Sequence, residues 1–164
     1  MDLHSAFAAF FDENYESVCR GLTVALGDAR RAEDATQEAF TRAYVRWRRV
    51  SQMERPAGWV YVTAVRYATR RRRARRVELE TAVVDDVADL VVRRAVLEAA
   101  LGLLTERQRL AVVLRYGLDL PLTQVAAAMG CALGTTKSTL HTAVARLQVI
   151  LEDSASEVEH DTRR

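Results

Sequence analysis

Apolar residues recur at three- and four-residue steps along most of this chain, the spacing of one face of an α-helix. The first such face runs through Phe7, Phe10, Phe11, Tyr15, Val18, Leu22 and Leu26 and stops at Gly27, so a first helix is expected to end there. Asp28 then stands where a helix N-cap belongs, and Ala32, Ala35, Ala39, Phe40, Ala43, Tyr44 and Trp47 give a second helix its apolar face. A polar joint, Val50 to Arg55, precedes a third helix. Pro56 suits its first turn, and its apolar positions Trp59, Val60, Val62, Thr63 and Tyr67 lead into a run of arginines that ends at Arg76.

The pattern resumes with Ala95, Leu97, Leu101 and Leu104. Thr105 and Gln108 then have capping-box spacing, and Leu110, Val113, Leu114 and Tyr116 follow before Gly117. A short element from Thr123 to Met129 is separated by Gly130, Cys131 and Ala132 from a long one, Gly134 to Leu151, with Leu140, Ala143, Leu147, Val149 and Ile150 on its inner face. The expected fold class is all-α. Two small helical domains, 1–76 and 94–152, are joined by an acidic linker over 77–93 and followed by a polar tail, 153–164, expected to fray. With 7 Gly and 2 Pro in 164 residues, the chain lacks the turn formers that a many-stranded sandwich needs.

Charge changes the picture more than composition does. Acids outnumber bases eight to three over 1–38, whereas 39–76 holds twelve arginines against the single acid Glu54. The stretch 77–92 carries Glu78, Glu80, Asp85, Asp86 and Asp89 and no base. A local surplus of that size calls for an anionic partner, although a charged helix end also serves as a plain solvated face. Arginines neutralise phosphates and aromatics stack on unpaired bases, and Trp47, Trp59, Tyr61 and Tyr67 are interleaved with this basic segment, so single-stranded nucleic acid is the favoured partner. An aromatic at helical spacing is also a core residue by default, and for Trp47 and Trp59 both readings stand. No apolar run reaches the roughly 18 residues a membrane span requires, and the N-terminus lacks the basic-then-apolar plan of a signal peptide, so no membrane insertion and a cytoplasmic location are expected. Cys19 and Cys131 cannot build a disulfide framework and read as small buried hydrophobes.

The segment from Gln124 to His141 has the plan of a helix-turn-helix: a small residue, Ala126, where the helices touch, Gly130 at the turn, and Thr136 packing the second helix back onto the first. Lys137, Ser138, Thr139, His141 and Thr142 would then lie toward a major groove. An ordinary helical hairpin fits the same pattern. His4, His141 and His160 are scattered, no phosphate loop or nucleophile elbow occurs, and Glu33, Asp34 and Glu38 read as a protein-binding surface in preference to a metal site. Neither an enzyme nor a cofactor is expected.

These pieces together resemble the sigma-70 family of RNA polymerase sigma factors, in its small two-domain extracytoplasmic function (ECF) group. Ala32 to Tyr44 resembles the A-E-D-x-x-Q-E-x-F-x-x-x-W signature of sigma domain 2. Pro56 to Ala64, followed by arginines, resembles the P-x-x-W-L-Y-x-x-A helix that faces the promoter −10 element. Leu104 to Tyr116 and then Gln124 to Leu147 resemble sigma domain 4. The resemblance implies that Asp34, Gln37, Glu38, Phe40 and Tyr44 bind the clamp helices of core RNA polymerase. It implies that Arg48, Arg49, Trp59, Arg66, Arg70, Arg71, Arg72 and Arg73, with the Val50 to Arg55 joint, hold the opened −10 strand. Arg115, Thr135, Lys137, Ser138, Thr139, His141 and Thr142 would read the −35 duplex, and the acidic linker would thread channels of the polymerase that normally carry nucleic acid. The polymerase flap and an anti-sigma protein complete the implied partners.

The chain also departs from the family pattern. Val65 and Arg66 stand where an Arg-Asn pair is usual, Arg70 replaces an aspartate, and the K-S-R-x-x-R of the recognition helix becomes Lys137, Ser138, Thr139 and Thr142. Ala132 replaces a serine cap, a change worth about 1 kcal/mol. A weak or unusual −35 contact is the expectation. Two rivals remain at this stage: a helix-turn-helix regulator that dimerises through its first domain, and an adaptor that binds polymerase without reading promoters.

Overall fold

The computed structural model describes residues 2–74 and 90–161, with side chains over 2–70 and 95–153. Among these residues the secondary structure is entirely helical: α1 (Leu3–Leu26), α2 (Ala29–Val45), α3 (Trp47–Val50), α4 (Pro56–Ala74), α5 (Leu90–Gly102), α6 (Glu106–Val112), a π-helical turn (Val113–Gly117), α7 (Leu122–Met129) and α8 (Leu133–Asp161). The expected linker lies outside the described residues up to position 89.

The first hairpin closes as the sequence predicts. Gly27 adopts φ +67° and donates its N–H to the Thr23 carbonyl at 2.8 Å, and Asp28 caps α2 by accepting from the Arg31 N–H at 2.9 Å. Ala32, Ala35, Ala39 and Ala43 are completely buried along α2, and this stripe of small side chains lets α1 and α4 approach it closely. At the far end of the hairpin the aromatic side chains cluster. Phe40 is 2% exposed, with its ring centroid 5.1 Å from that of Phe11 and 5.4 Å from that of Tyr15. Trp47 lies 4.8 Å from Phe10 and meets Phe7 edge-on. Trp47 is therefore core, and its buried indole N–H has no hydrogen-bond partner among the described residues. Because α2 stops at Arg46, where φ is −111° and ψ 18°, Trp47 belongs to the separate short helix α3, which turns Trp47 and Val50 inward and leaves Arg48 and Arg49 exposed.

The buried positions of α4 are Val60, Tyr61, Ala64, Val65 and Ala68. The expected face through Trp59, Val62, Thr63 and Tyr67 is displaced by about one position and only half-buried. Tyr61, expected beside the base-stacking aromatics, is instead 5% exposed and donates its hydroxyl to the Ser17 carbonyl at 3.0 Å. Gly21 leaves room for it, since a Cβ there would stand 3.0 Å from the Tyr61 oxygen. In the second half, Thr105 and Gln108 form the expected capping box, but α6 widens into the π-turn before Gly117. Gly130 takes φ +64° between α7 and α8, and α8 continues helical through the expected tail to Asp161. Cys19 and Cys131 are part-exposed, not buried.

The two halves do not stand apart. Their buried apolar residues form one contiguous cluster in which α7 packs on α4, and α6 on α1.

Burial raises the Tyr61 pKa above the usual value, with the bond to Ser17 and the charge of Arg20 opposing this. A raised folded-state pKa means a contribution that is complete below pH 10.0 and lost as pH climbs through the folded value. Tyr61→Phe should cost about 0.5 to 1.5 kcal/mol at neutral pH, and the variant should lose less stability than the parent above pH 10.0, as read by chemical denaturation across pH.

Candidate functional site

Three surfaces carry the residues singled out above. On α2, Asp34 and Gln37 are exposed and Glu38 is half-buried in an ion pair with Arg42 at 2.7 Å, one turn on. The Arg42 guanidinium also sits 5.7 Å from the centre of the Tyr67 ring, tying this face to α4. Tyr44 is 51% exposed, and its ring meets Phe7 at 5.0 Å. Phe40 is the exception. It lies inside the aromatic cluster, so it supports α2 from beneath and does not reach the surface.

The second surface is basic. Trp59, Arg66, Arg70 and Arg73 recur at steps of seven, four and three along α4 and so occupy one helical face, with Arg48 and Arg49 exposed on α3. Trp59 is half-buried against the core. Arg71, Arg72 and Arg73 lie on the α4 backbone, and their side chains fall outside the described residues. Arg55, which the sequence placed only within the joint, is engaged here: one guanidinium nitrogen donates to the Asp119 carbonyl at 2.7 Å and another lies 3.5 Å from its carboxylate. Arg66 donates to the Ala127 carbonyl at 2.9 Å.

The third surface is the start of α8. Thr136 is completely buried, its hydroxyl bonded to the Ala132 carbonyl at 3.2 Å and 3.3 Å from the Cys131 sulfur, so it fills the packing position of the helix-turn-helix without stranding a polar group. Thr135, Lys137, Ser138, His141 and Thr142 are exposed and Thr139 is half-buried. The hydroxyls of Ser138 and Thr139 both donate back to the Thr135 carbonyl, and that of Thr142 to the Ser138 carbonyl at 3.0 Å. These side chains spend their protons on their own helix, and what they offer outward is an acceptor oxygen and, for the two threonines, a methyl group. Arg146, one turn beyond Thr142, is exposed on the same side; sequence pattern passed over it because it lies past the motif. Arg115 lies on the π-turn, not on α8. It holds the loop after the π-turn, donating to the Asp119 carboxylate at 3.3 Å and to the Leu120 carbonyl at 3.2 Å.

With that geometry in view, the likeness to known proteins is specific. The family model for sigma-70 region 2 matches residues 10–78, and that for sigma-70 region 4 matches residues 94–147. The RNA polymerase sigma-E factor of Streptomyces avermitilis is 32% identical over 152 residues, covering 89% of this chain and 85% of the relative. This chain belongs to the sigma-70 family. Within it the chain falls in the ECF group, whose SigL of Mycobacterium tuberculosis is 28% identical over 156 residues, with 88% of each chain covered. The sigma factor RpoE of Bartonella quintana, solved in complex with the anti-sigma factor NepR, shares the fold at a TM-score of 0.70 and 23% identity, covering 90% of this chain and 97% of that one. The region 2 match takes in α1 to α4, and the region 4 match takes in the capping box, the π-turn and the helix-turn-helix of this sigma factor. Among the described residues, no helix is long and apolar enough to cross a membrane.

The helix-turn-helix of this sigma factor carries little positive charge where it would meet DNA. Thr139→Arg combined with Thr142→Arg should tighten binding of the protein to a −35 duplex, by up to about 1 to 3 kcal/mol for each arginine that finds a guanine. Fluorescence anisotropy on promoter and scrambled duplexes reads the gain, and no gain would mean that these positions do not face the groove.

Proposed function

We propose that this chain binds core RNA polymerase and directs promoter-specific initiation, acting in the cytoplasm as a non-catalytic factor. The observation that carries the reading is the order of its parts on one chain. A region 2 match holding an arginine-lined helix comes first, and a region 4 match holding a helix-turn-helix follows. A regulator that dimerises through its first half gives no reason for the exposed Asp34, Gln37 and Tyr44 to stand opposite so basic a helix.

The proposed domain bounds are 1–76 and 94–152. The polymerase-facing residues are Asp34, Gln37, Glu38 and Tyr44, with Phe40 as their internal support. The strand-facing residues are Arg48, Arg49, Trp59, Arg66, Arg70 and the run Arg71 to Arg73, to which Arg55 is added. The duplex-facing residues are Arg115, Thr135, Lys137, Ser138, Thr139, His141 and Thr142, to which Arg146 is added. An anti-sigma protein is a further proposed partner, supported by the complex in which the Bartonella quintana relative was solved.

The decisive experiment is transcription from a panel of promoter fragments by core polymerase with and without the chain, with new start sites expected only in its presence. Glu38→Arg should abolish co-purification with core polymerase. Its ion pair with Arg42 is part-exposed, worth about 0 to 1 kcal/mol, so circular dichroism should show an intact fold. Replacing Arg71, Arg72 and Arg73 with Ala should flatten the salt dependence of single-strand binding, each neutralised phosphate accounting for about 0.7 of the log-log slope. A slope indifferent to this change would reduce the run to a solvated face.

A further inference from the structure

A cleft of about 330 Å³ opens where the start of α1 faces the end of α2, with Leu3 and His4 on one wall, Tyr44 and Val45 on the other, and Trp47 and Arg48 of α3 between them. Its apolar side chains are unusually bare: Leu3 and Tyr44 are exposed, and Val45 is 75% exposed. The Tyr44 ring is nevertheless held in place. It meets Phe7 and His4 edge-on, at centroid distances of 5.0 and 6.1 Å, and its hydroxyl stands 3.5 Å from Nδ1 of His4. Trp47 is 7% exposed, and its indole N–H has no partner among the described residues. A buried donor left unpaired is a standing cost, and Trp47 belongs to the wall of a cleft in which an acceptor can bind. Charge points the same way. Arg46, Arg48 and Arg49 are all exposed, no acid lies between positions 39 and 53, and the one acid on the cleft is Asp2.

We propose that this cleft is a pocket for one unpaired base of the opened promoter strand, the base stacking on Tyr44 and its phosphate meeting Arg48, so that the strand-binding surface extends past α3 to the start of α1. This rests on the functional reading above. A ring fixed at its edges and half open to water selects a flat ligand, the guanidinium groups select an anionic one, and the indole N–H selects one that carries an acceptor. A nucleotide has all three properties. Its base can enter only when unstacked and unpaired, so the pocket distinguishes opened from closed DNA. Arg48 already belongs to the strand-facing set, which makes the cleft continuous with it, and Tyr44 then serves the strand as well as the polymerase face. Asp2 leaves an acceptor at the rim for an amino group of the base.

An abasic scan tests this. Fluorescein-labelled single strands spanning the −10 element and the bases after it, each lacking one base, are titrated with the full chain by fluorescence anisotropy. One position should lose about fivefold or more in affinity, the low end of what a stacked base contributes. Tyr44→Ala should erase the loss at that position and leave the penalties at the others in place, and Tyr44→Phe, which keeps the ring, should retain it. Val45→Glu sets a carboxylate on the exposed rim, where little packing is at stake, and should weaken binding of the intact strand more than of the strand lacking that base; it is the second variant if Tyr44→Ala melts early. In a Trp59→Phe chain Trp47 is the one tryptophan left, and its emission should change on adding the intact strand but not the abasic one. Base penalties that are the same in the parent and in Tyr44→Ala, or Trp47 emission that does not tell the two strands apart, would overturn the pocket. So would two other results: Tyr44→Ala and Val45→Glu lowering affinity for core polymerase with strand binding unchanged, which gives the cleft to the polymerase, and displacement of the strand by millimolar deoxynucleoside monophosphates, which makes it a site for free nucleotides. A chain that binds no −10 strand at all sinks the functional reading, whereas strand binding without the position-specific loss sinks the pocket alone.

Discussion

Helix α4 buries Val60, Tyr61, Ala64, Val65 and Ala68 while meeting α2 and α1 from its own half and α7 from the other. A helix hemmed in this way has only a narrow strip left for charge, and Arg66 and Arg70 are exposed there. The completely buried alanines of α2 make the arrangement possible, because larger side chains there would push α4 outward and break the continuity of the apolar cluster that runs through both halves. Position along α4 thus decides whether a residue belongs to the core, to the basic strip or to the contact with α7.

The two surfaces proposed to face DNA are chemically unlike. The strip on α4 and α3 is dense in guanidinium groups, whose attraction for phosphate is strong, long-ranged and indifferent to sequence. The start of α8 offers hydroxyls turned back on their own helix, with Lys137 as the cation among the positions that the motif selects. On the proposed roles, one surface supplies affinity and the other discrimination.

Much of the architecture was legible from local rules. The stops at Gly27 and Gly130, the caps at Asp28 and Thr105, and the tight packing position at Thr136 all depend on residues within a few positions of one another. What escaped was non-local. Periodicity marks Phe40 and Trp47 as apolar but does not say whether they face a core or a partner, and only the rings arriving from α1 settle that they are enclosed. The contacts of Arg31, Arg55, Arg66 and Arg109 reach across 61 to 84 positions, mostly to backbone carbonyls, which every residue possesses and no composition reveals. The π-turn is invisible for a related reason: periodicity carries no mark of its extra residue, and the bonds beside it, from Arg115 to Asp119 and Leu120, belong to the loop that follows.

Arg109 closes over the carboxyl end of α1, donating to Ala25 beside Gly27, and this has a consequence for how the chain is made. Helices α1, α2 and α4 are near neighbours in sequence and pack with short loops between them, so they can assemble while the ribosome is still translating the second half. During that interval the Ala25 carbonyl lacks its arginine partner, and the first half is a finished platform whose α1 is closed only by Gly27. When residue 109 emerges and α6 forms, its guanidinium docks on a surface that already exists. Synthesis order alone thus favours the second half arriving as a lid on the first, with no helix of the earlier half having to unfold to receive it.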